Sequence, residues 1–217
     1  MPVIRFCTKR MKAIAACAVT GPLLALFALT MGVRVSAEAR VALTIRLYNA
    51  SAVPAPELLA ARRAVESTFR DTGVDLIVRL CGRPASAGDP VGPCNENLKP
   101  REVVVRVIVA PAFSATLHAE TCGMAYLVRD TDRGWLATVF SDRIGGAAAR
   151  VGVDSGTLLG LVIAHEVGHL LLGSGYHGWS GVMQADWPDA LLSRTGEPWH
   201  FSKIEAARMR EAASIPF

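Results

Sequence analysis

One run of this sequence leaves the chain little freedom. From Ser155 to Leu172 almost every residue is apolar, and the exceptions include His165, Glu166 and His169. Asp154 or Ser155 can cap a helix over the run, and Gly173 and Gly175 end it. A helix that is apolar nearly all round has to be buried, so other elements must pack on every side of it. Burying two imidazoles and a carboxylate there costs free energy unless they are engaged. Residues four apart differ by about 40° around a helix, so His165 and His169 share one face, a turn apart. Two imidazoles so placed can hold one zinc ion through bonds of about 2.0–2.1 Å. Glu166, beside the first of them, can take a proton from a zinc-bound water whose pKa the metal lowers towards about 7.

A catalytic zinc site needs a third protein ligand and an open position. His177 is the leading candidate, eight residues past His169 and beyond two glycines that let the chain turn back. Three of the chain's five histidines then fall within thirteen residues. Glu205 competes for the same role. However, Ser202-x-x-Glu205 is also a capping box at a helix start, which accounts for the glutamate without a metal. Glu197, in a loop, is weaker. His118 and His200 have no partner pattern and read as structural or surface residues. Tyr176, beside His177, is a candidate oxyanion stabiliser, against a plain packing or surface role.

The rest of the chain supplies partners for the buried helix. Val41, Leu43, Ile45 and Leu47 alternate with Ala42, Thr44, Arg46 and Tyr48, as in a half-buried strand. Pro54 to Thr72 carries Leu58, Ala61, Val65 and Phe69 at helical spacing, stopped by Gly73. Val74 to Leu80 and Val103 to Val109 alternate as strands, separated by a turn-rich loop over 82–100. Gly123 to Arg129 and Trp135 to Ser141 are two short strands around a polar turn. Residues 176–200 look irregular, and Ser202 opens a last helix to about Ala213. The order is β-α-β-β-β-β-α, then a loop-rich segment and a helix, with no internal repeat.

The first 37 residues are a different kind of segment. They hold five basic residues (Arg5, Lys9, Arg10, Lys12, Arg34) and no acid, and Ala13 to Val33 has no charged side chain. Val35-Ser36-Ala37 fits a cleavage site. The segment reads as a secretory signal peptide spanning 1–37, with Met11 an alternative start. An uncleaved membrane anchor is the competing reading. Without it, 18 basic residues face 19 acidic ones, so the overall charge of +4 is no argument for nucleic acid, and the mature part needs no membrane. Of the five cysteines, Cys7 and Cys17 leave with the leader. Cys81 and Cys94 bracket a Gly/Pro-rich loop and are the favoured disulfide in an oxidising compartment, which leaves Cys122 as a buried free thiol.

Residues 165–183, HEVGHLLLGSGYHGWSGVM, resemble the zinc-binding region of the metzincin metallopeptidases, which have HExxHxxGxxH followed by a methionine turn. The resemblance is to a small exported bacterial type with HExGHLLLG, a histidine, G-[IV]-M and Ala-x-Trp, here Ala185-Asp186-Trp187. By position, His165, His169 and His177 match the three zinc ligands, Glu166 the general base and Met183 the turn methionine. The glycine stands at 173, one residue later than in the larger family, and the third histidine two later. The resemblance implies an α+β, metzincin-like fold. That is a twisted mixed sheet of about five strands with a backing helix, an active-site helix and a small C-terminal lobe with a Met-turn and a terminal helix. A single catalytic domain over 38–217 would divide into an upper part, 40–173, and a lower part, 174–217. It implies one zinc ion and an exported or periplasmic endopeptidase acting on peptide or protein substrates, monomeric by default. An extended peptide would add to Gly123–Arg129 as a strand. The alternatives are an exported module that holds zinc without turnover, a gluzincin-type site with Glu205 as third ligand, and a structural domain whose histidines meet no metal.

Overall fold

The computed structural model describes residues 3–5, 40–82, 92–112, 118, 120–128, 133–173, 175–193 and 199–215. The segment read as a leader lies outside that range, except that the backbone of Val3–Arg5 forms a short strand, β1.

The alternating segments build the sheet. β2 (Val41–Asn49), β3 (Val74–Cys81), β4 (Glu102–Ile108), β5 (Gly123–Val128) and β6 (Arg133–Phe140) lie in the order β3-β2-β4-β6-β5. Neighbours are parallel except β5, which runs antiparallel to β6 and forms one edge. The expected mixed five-stranded sheet is therefore present. Side chains alternate across a strand, so Leu43, Ile45 and Leu47 share a face with Val103, Val105, Val107, Ala137 and Val139, and all are buried.

Two helices cover that face. α1 (Ala55–Phe69) buries Leu58, Ala61, Val65 and Phe69, the stripe that the helical spacing predicts. α3 (Ser155–Leu172) starts at Asp154, whose carboxylate accepts a hydrogen bond from the Thr157 N–H at 2.7 Å. It packs against α1, β5 and β6. Its length and apolar character would suit a bilayer, yet 83% of it is enclosed by the rest of this chain. Each fully buried Leu, Ile or Val side chain contributes about 1.5–3 kcal/mol, so the helix is held by the sheet on one side and by helices on the others.

The opposite face carries charge. Arg46 is buried there, with its guanidinium on the Glu102 carboxylate and on the carbonyls of Glu96 and Asn97. Arg79 reaches Glu102 at 3.2 Å. The Lys99 amide donates to the same carboxylate at 3.0 Å. Burial pushes Glu102 up, but these three partners outweigh it and hold its carboxyl below the usual carboxylate range. The loop bringing Glu96 and Asn97 is tied to β3 by the Cys81–Cys94 disulfide. Cys122 is free and buried, and burial pushes its thiol up to about 12.

One helix was not expected. α2 (Ser141–Val151) follows β6 without a loop, where the sequence reading assigned nothing after Ser141. Gly145 and Gly146 at its centre weaken the helical pattern. It is held from outside: Ile144, Ala147 and Ala148 are buried, and Arg143 donates to the His118 and Thr121 carbonyls, both at 2.8 Å. The segment after α3 also contains more than irregular chain. It has a short strand β7 (Asp186–Pro188), antiparallel to β1, and a single-turn α4 (Asp189–Leu192). The last helix, α5 (Lys203–Ser214), begins at Ser202 with a full capping box. α5 is joined to the sheet by Arg133 to the Ala212 carbonyl at 2.7 Å, and the residue before its cap, Phe201, meets Phe69 edge to face at 4.9 Å.

Candidate metal centre

The site starts from α3. His165 is fully buried and His169 nearly so, both on the face turned towards the segment after the helix. The Nδ1 of His165 lies 2.7 Å from the Val182 carbonyl oxygen. A carbonyl only accepts, so Nδ1 carries the proton and donates. The Nε2 lone pair is thereby directed to the other side of the ring. There the Nε2 of His169 stands 3.0 Å away.

His177 completes the group. Gly173, at φ +89°, and Gly175, at φ +65°, adopt backbone conformations that a side chain resists, and they turn the chain back after α3. One nitrogen from each of His165, His169 and His177 lies within 4.8 Å of the others. The ring centres are 4.6, 5.4 and 4.8 Å apart for 165–169, 165–177 and 169–177. Tetrahedral bonds of about 2.0–2.1 Å separate ligand nitrogens by about 3.3 Å, so the three imidazoles fit a single ion with little adjustment. Burial holds all of them in the neutral, ligating form, and repulsion from neighbouring imidazoles adds to it at His165 and His169: His165 falls well below its usual value, His169 to about 3, and burial lowers His177 with Asp186 opposing.

Glu166 faces the sheet edge. Its carboxylate lies against the backbone of Gly123, the first residue of β5, where an added Cβ would come within 2.5 Å of Oε1. Burial alone raises its carboxyl well above the usual range. A buried acid with a raised pKa exchanges a proton more readily near neutral pH than an exposed one.

Below the histidines, Met183 is fully buried, and a Cβ added at Gly168 would come within 2.5 Å of its sulfur. Trp187 meets the His165 ring edge-on at 5.7 Å and Trp199 at 4.8 Å. The turn between His177 and Met183 is closed by the Gly178 N–H on the Met183 carbonyl at 2.8 Å.

The other sequence candidates fall elsewhere. Glu205 is outside the three-nitrogen group found among the described residues. Its carboxylate accepts from the Ser202 N–H at 2.6 Å, as the capping-box reading requires. Tyr176 lies near the Glu205 carboxylate, and the Arg208 guanidinium lies over its ring at 5.9 Å. His118 and His200 are exposed. Glu197 lies outside the described residues. Sequence reasoning missed the Val182 carbonyl as a partner of His165, the contact of Gly123 with Glu166, and the influence of Asp186 on His177. No local pattern in the chain signals these pairings.

No protein-family model matches the sequence, and no curated protein does. Solved structures do. Archaemetzincin from Methanopyrus kandleri aligns with 14% identity and a TM-score of 0.50, over 79% of this chain and 96% of its own. A zinc-dependent peptidase from Methanocorpusculum labreanum aligns at 17% identity and 0.49, over 76% and 99%. Metalloproteinase-II from Bacteroides fragilis aligns at 14% and 0.47, over 82% of this chain but 55% of its own. The archaemetzincin alignment shows the class of fold alone, an α+β fold shared with that protein. Within it, this chain's three-histidine group lies beside a glutamate at the edge strand.

Proposed function

We propose that this protein is an exported zinc-dependent peptidase. The carrying observation is the convergence of three neutral imidazoles, two of them buried, beside Glu166 at the edge of the sheet. His165, His169 and His177 would hold the zinc. Bound zinc supplies Lewis acidity, which makes water nucleophilic at neutral pH and polarises a carbonyl. The Val182 carbonyl keeps His165 in the ligating tautomer. Glu166 takes a proton from the attacking water and returns it to the leaving amine. Gly123 lets the carboxylate lie close to β5, the antiparallel edge strand. An extended peptide adding to that edge by backbone hydrogen bonds would bring its scissile carbonyl beside Glu166. Met183, buried beneath Gly168, takes the part of the turn methionine as a packing residue. The basic, then uncharged N-terminus supports cleavage after residue 37 and a secreted or periplasmic product. The Cys81–Cys94 disulfide suits that compartment. In this reading, 40–173 forms the upper part of the domain and 174–217 the lower.

The test is metal content and peptide hydrolysis of residues 38–217, with Glu166→Ala alongside. The wild type should hold one zinc per chain and cleave a peptide library. The variant should retain the zinc and lose hydrolysis by at least about 10²-fold. Undiminished hydrolysis in the variant, or a wild type that takes up no zinc, would end this reading.

A further inference from the structure

Trp179, two residues past His177, is 100% exposed. Its indole packs on nothing among the described residues. The other tryptophans differ: Trp187 is fully buried, Trp199 packs on it at 4.8 Å, and Trp135 is half covered. The backbone around Trp179, by contrast, is held on both sides. The Gly178 N–H closes the turn on the Met183 carbonyl at 2.8 Å, and the Val182 N–H donates to the His200 carbonyl at 3.2 Å. The Gln184 side-chain amide donates to the Trp179 carbonyl itself at 3.0 Å. Gly181, at φ +76°, supplies the left-handed position in this turn. A fixed backbone therefore carries a bare indole.

The fold gains no burial from this side chain, so its large apolar surface is open to a ligand. A tryptophan has only two side-chain torsions, and its backbone is already ordered here, so contact with a ligand removes little further freedom. The position narrows what that ligand is. Consecutive α-carbons are 3.8 Å apart, so the α-carbon of Trp179 stands within about 7.6 Å of that of His177. The three-histidine group is flanked by Glu166, against the start of β5, and by the segment that carries His177 and Trp179.

We infer that Trp179 determines specificity: its indole receives the substrate side chain next to the scissile bond, and the substrates are peptides with a large apolar residue there. The inference rests on the zinc-peptidase reading above, with a peptide seated along β5, and adds to it the kind of residue that the site selects.

The test compares the zinc-loaded wild type with Trp179→Ala on one peptide library, with cleavage sites sorted by the residues that flank them. The wild type should favour sites flanked by leucine, methionine, phenylalanine or tyrosine. At those sites the variant should lose kcat/KM by about ten- to a hundredfold, the worth of burying one large apolar side chain. At sites flanked by glycine, alanine or serine it should change by less than about threefold. Zinc content and melting temperature should stay as in the wild type, because nothing in the fold packs on the indole. Equal losses at both kinds of site, with or without loss of zinc, would overturn the inference while the peptidase reading stands. So would losses at neither, or a wild type with no preference for apolar flanks. A wild type that takes up no zinc or cleaves no peptide would overturn both.

Discussion

The two halves of the metal centre are made in different ways. His165, Glu166 and His169 sit within one turn and a half of a buried helix, and the helix alone sets their separation. His177, Met183 and Trp187 come from the segment after that helix, which has one isolated bridge between Gly178 and Gln184 and a three-residue strand. In the first half, local geometry does the positioning and the surrounding core only desolvates. In the second, position comes from contacts between residues far apart in the chain: the His165 ring on the Val182 carbonyl, Met183 under Gly168, and Gly178 on Glu205. A site can thus join a rigid pair of ligands to a third that is only as well placed as its packing.

Removing a ligand from each half tests that contrast most directly. His169→Ala should weaken zinc binding more than about 100-fold, beyond what loss of a supporting residue costs. His177→Ala should cost less, because this ligand comes from a segment that must be ordered to present it, whereas the helix already fixes His169. Chelator competition reads both. Equal losses would mean that the helix-borne ligand has no advantage.

Packing beneath the site comes next. Met183→Ala should cost about 2–5 kcal/mol of stability in denaturant unfolding, because a fully buried side chain leaves a cavity. Met183→Leu should cost less than about 1.5 kcal/mol. A Met183→Leu protein that is stable but cannot hold zinc would show that sulfur matters beyond its volume.

The smallest expected effect on zinc binding lies on the other face of the sheet and serves as the control. Glu102→Gln removes the charge that Arg46 and Arg79 share and should cost about 1.5–3 kcal/mol near neutral pH, with zinc affinity unchanged. The folded protein holds this carboxyl below its unfolded value. Its contribution is therefore complete above about pH 4.3 and is lost as pH falls through the folded value. The stability gap between wild type and variant should accordingly shrink in acid. A gap that is constant with pH would assign the effect to packing rather than charge.

Much of the fold was legible because it rests on short-range periodicity. The alternating runs that begin at Val41, Val74 and Val103 became β2, β3 and β4 within a residue or two of their expected limits. The four apolar positions of α1 are its buried stripe. α2 was not legible. Its two central glycines lower the intrinsic preference, and the helix is held by Arg143 and by burial of Ile144, Ala147 and Ala148, which are tertiary effects. β1 and β7 were equally hidden, each being three residues long and defined only by its partner.

At the site, the sequence alone specified the pair of imidazoles and the glutamate between them, because four residues along a helix is a distance that any α-helix reproduces. It also determined that they would be buried, since the helix around them is apolar on all sides. It left open whether His177 or Glu205 would stand with them. That choice was made only in the tertiary structure. Two glycines at positive φ turn the chain after α3, and the α5 cap draws the Glu205 carboxylate to Ser202 and against Gly178. The imidazole of His177 is left facing the helix. The reason is one of range. A residue's place on its own helix follows from bonds and dihedrals a few residues away, whereas the place of a loop residue follows from which distant side chains bury against it.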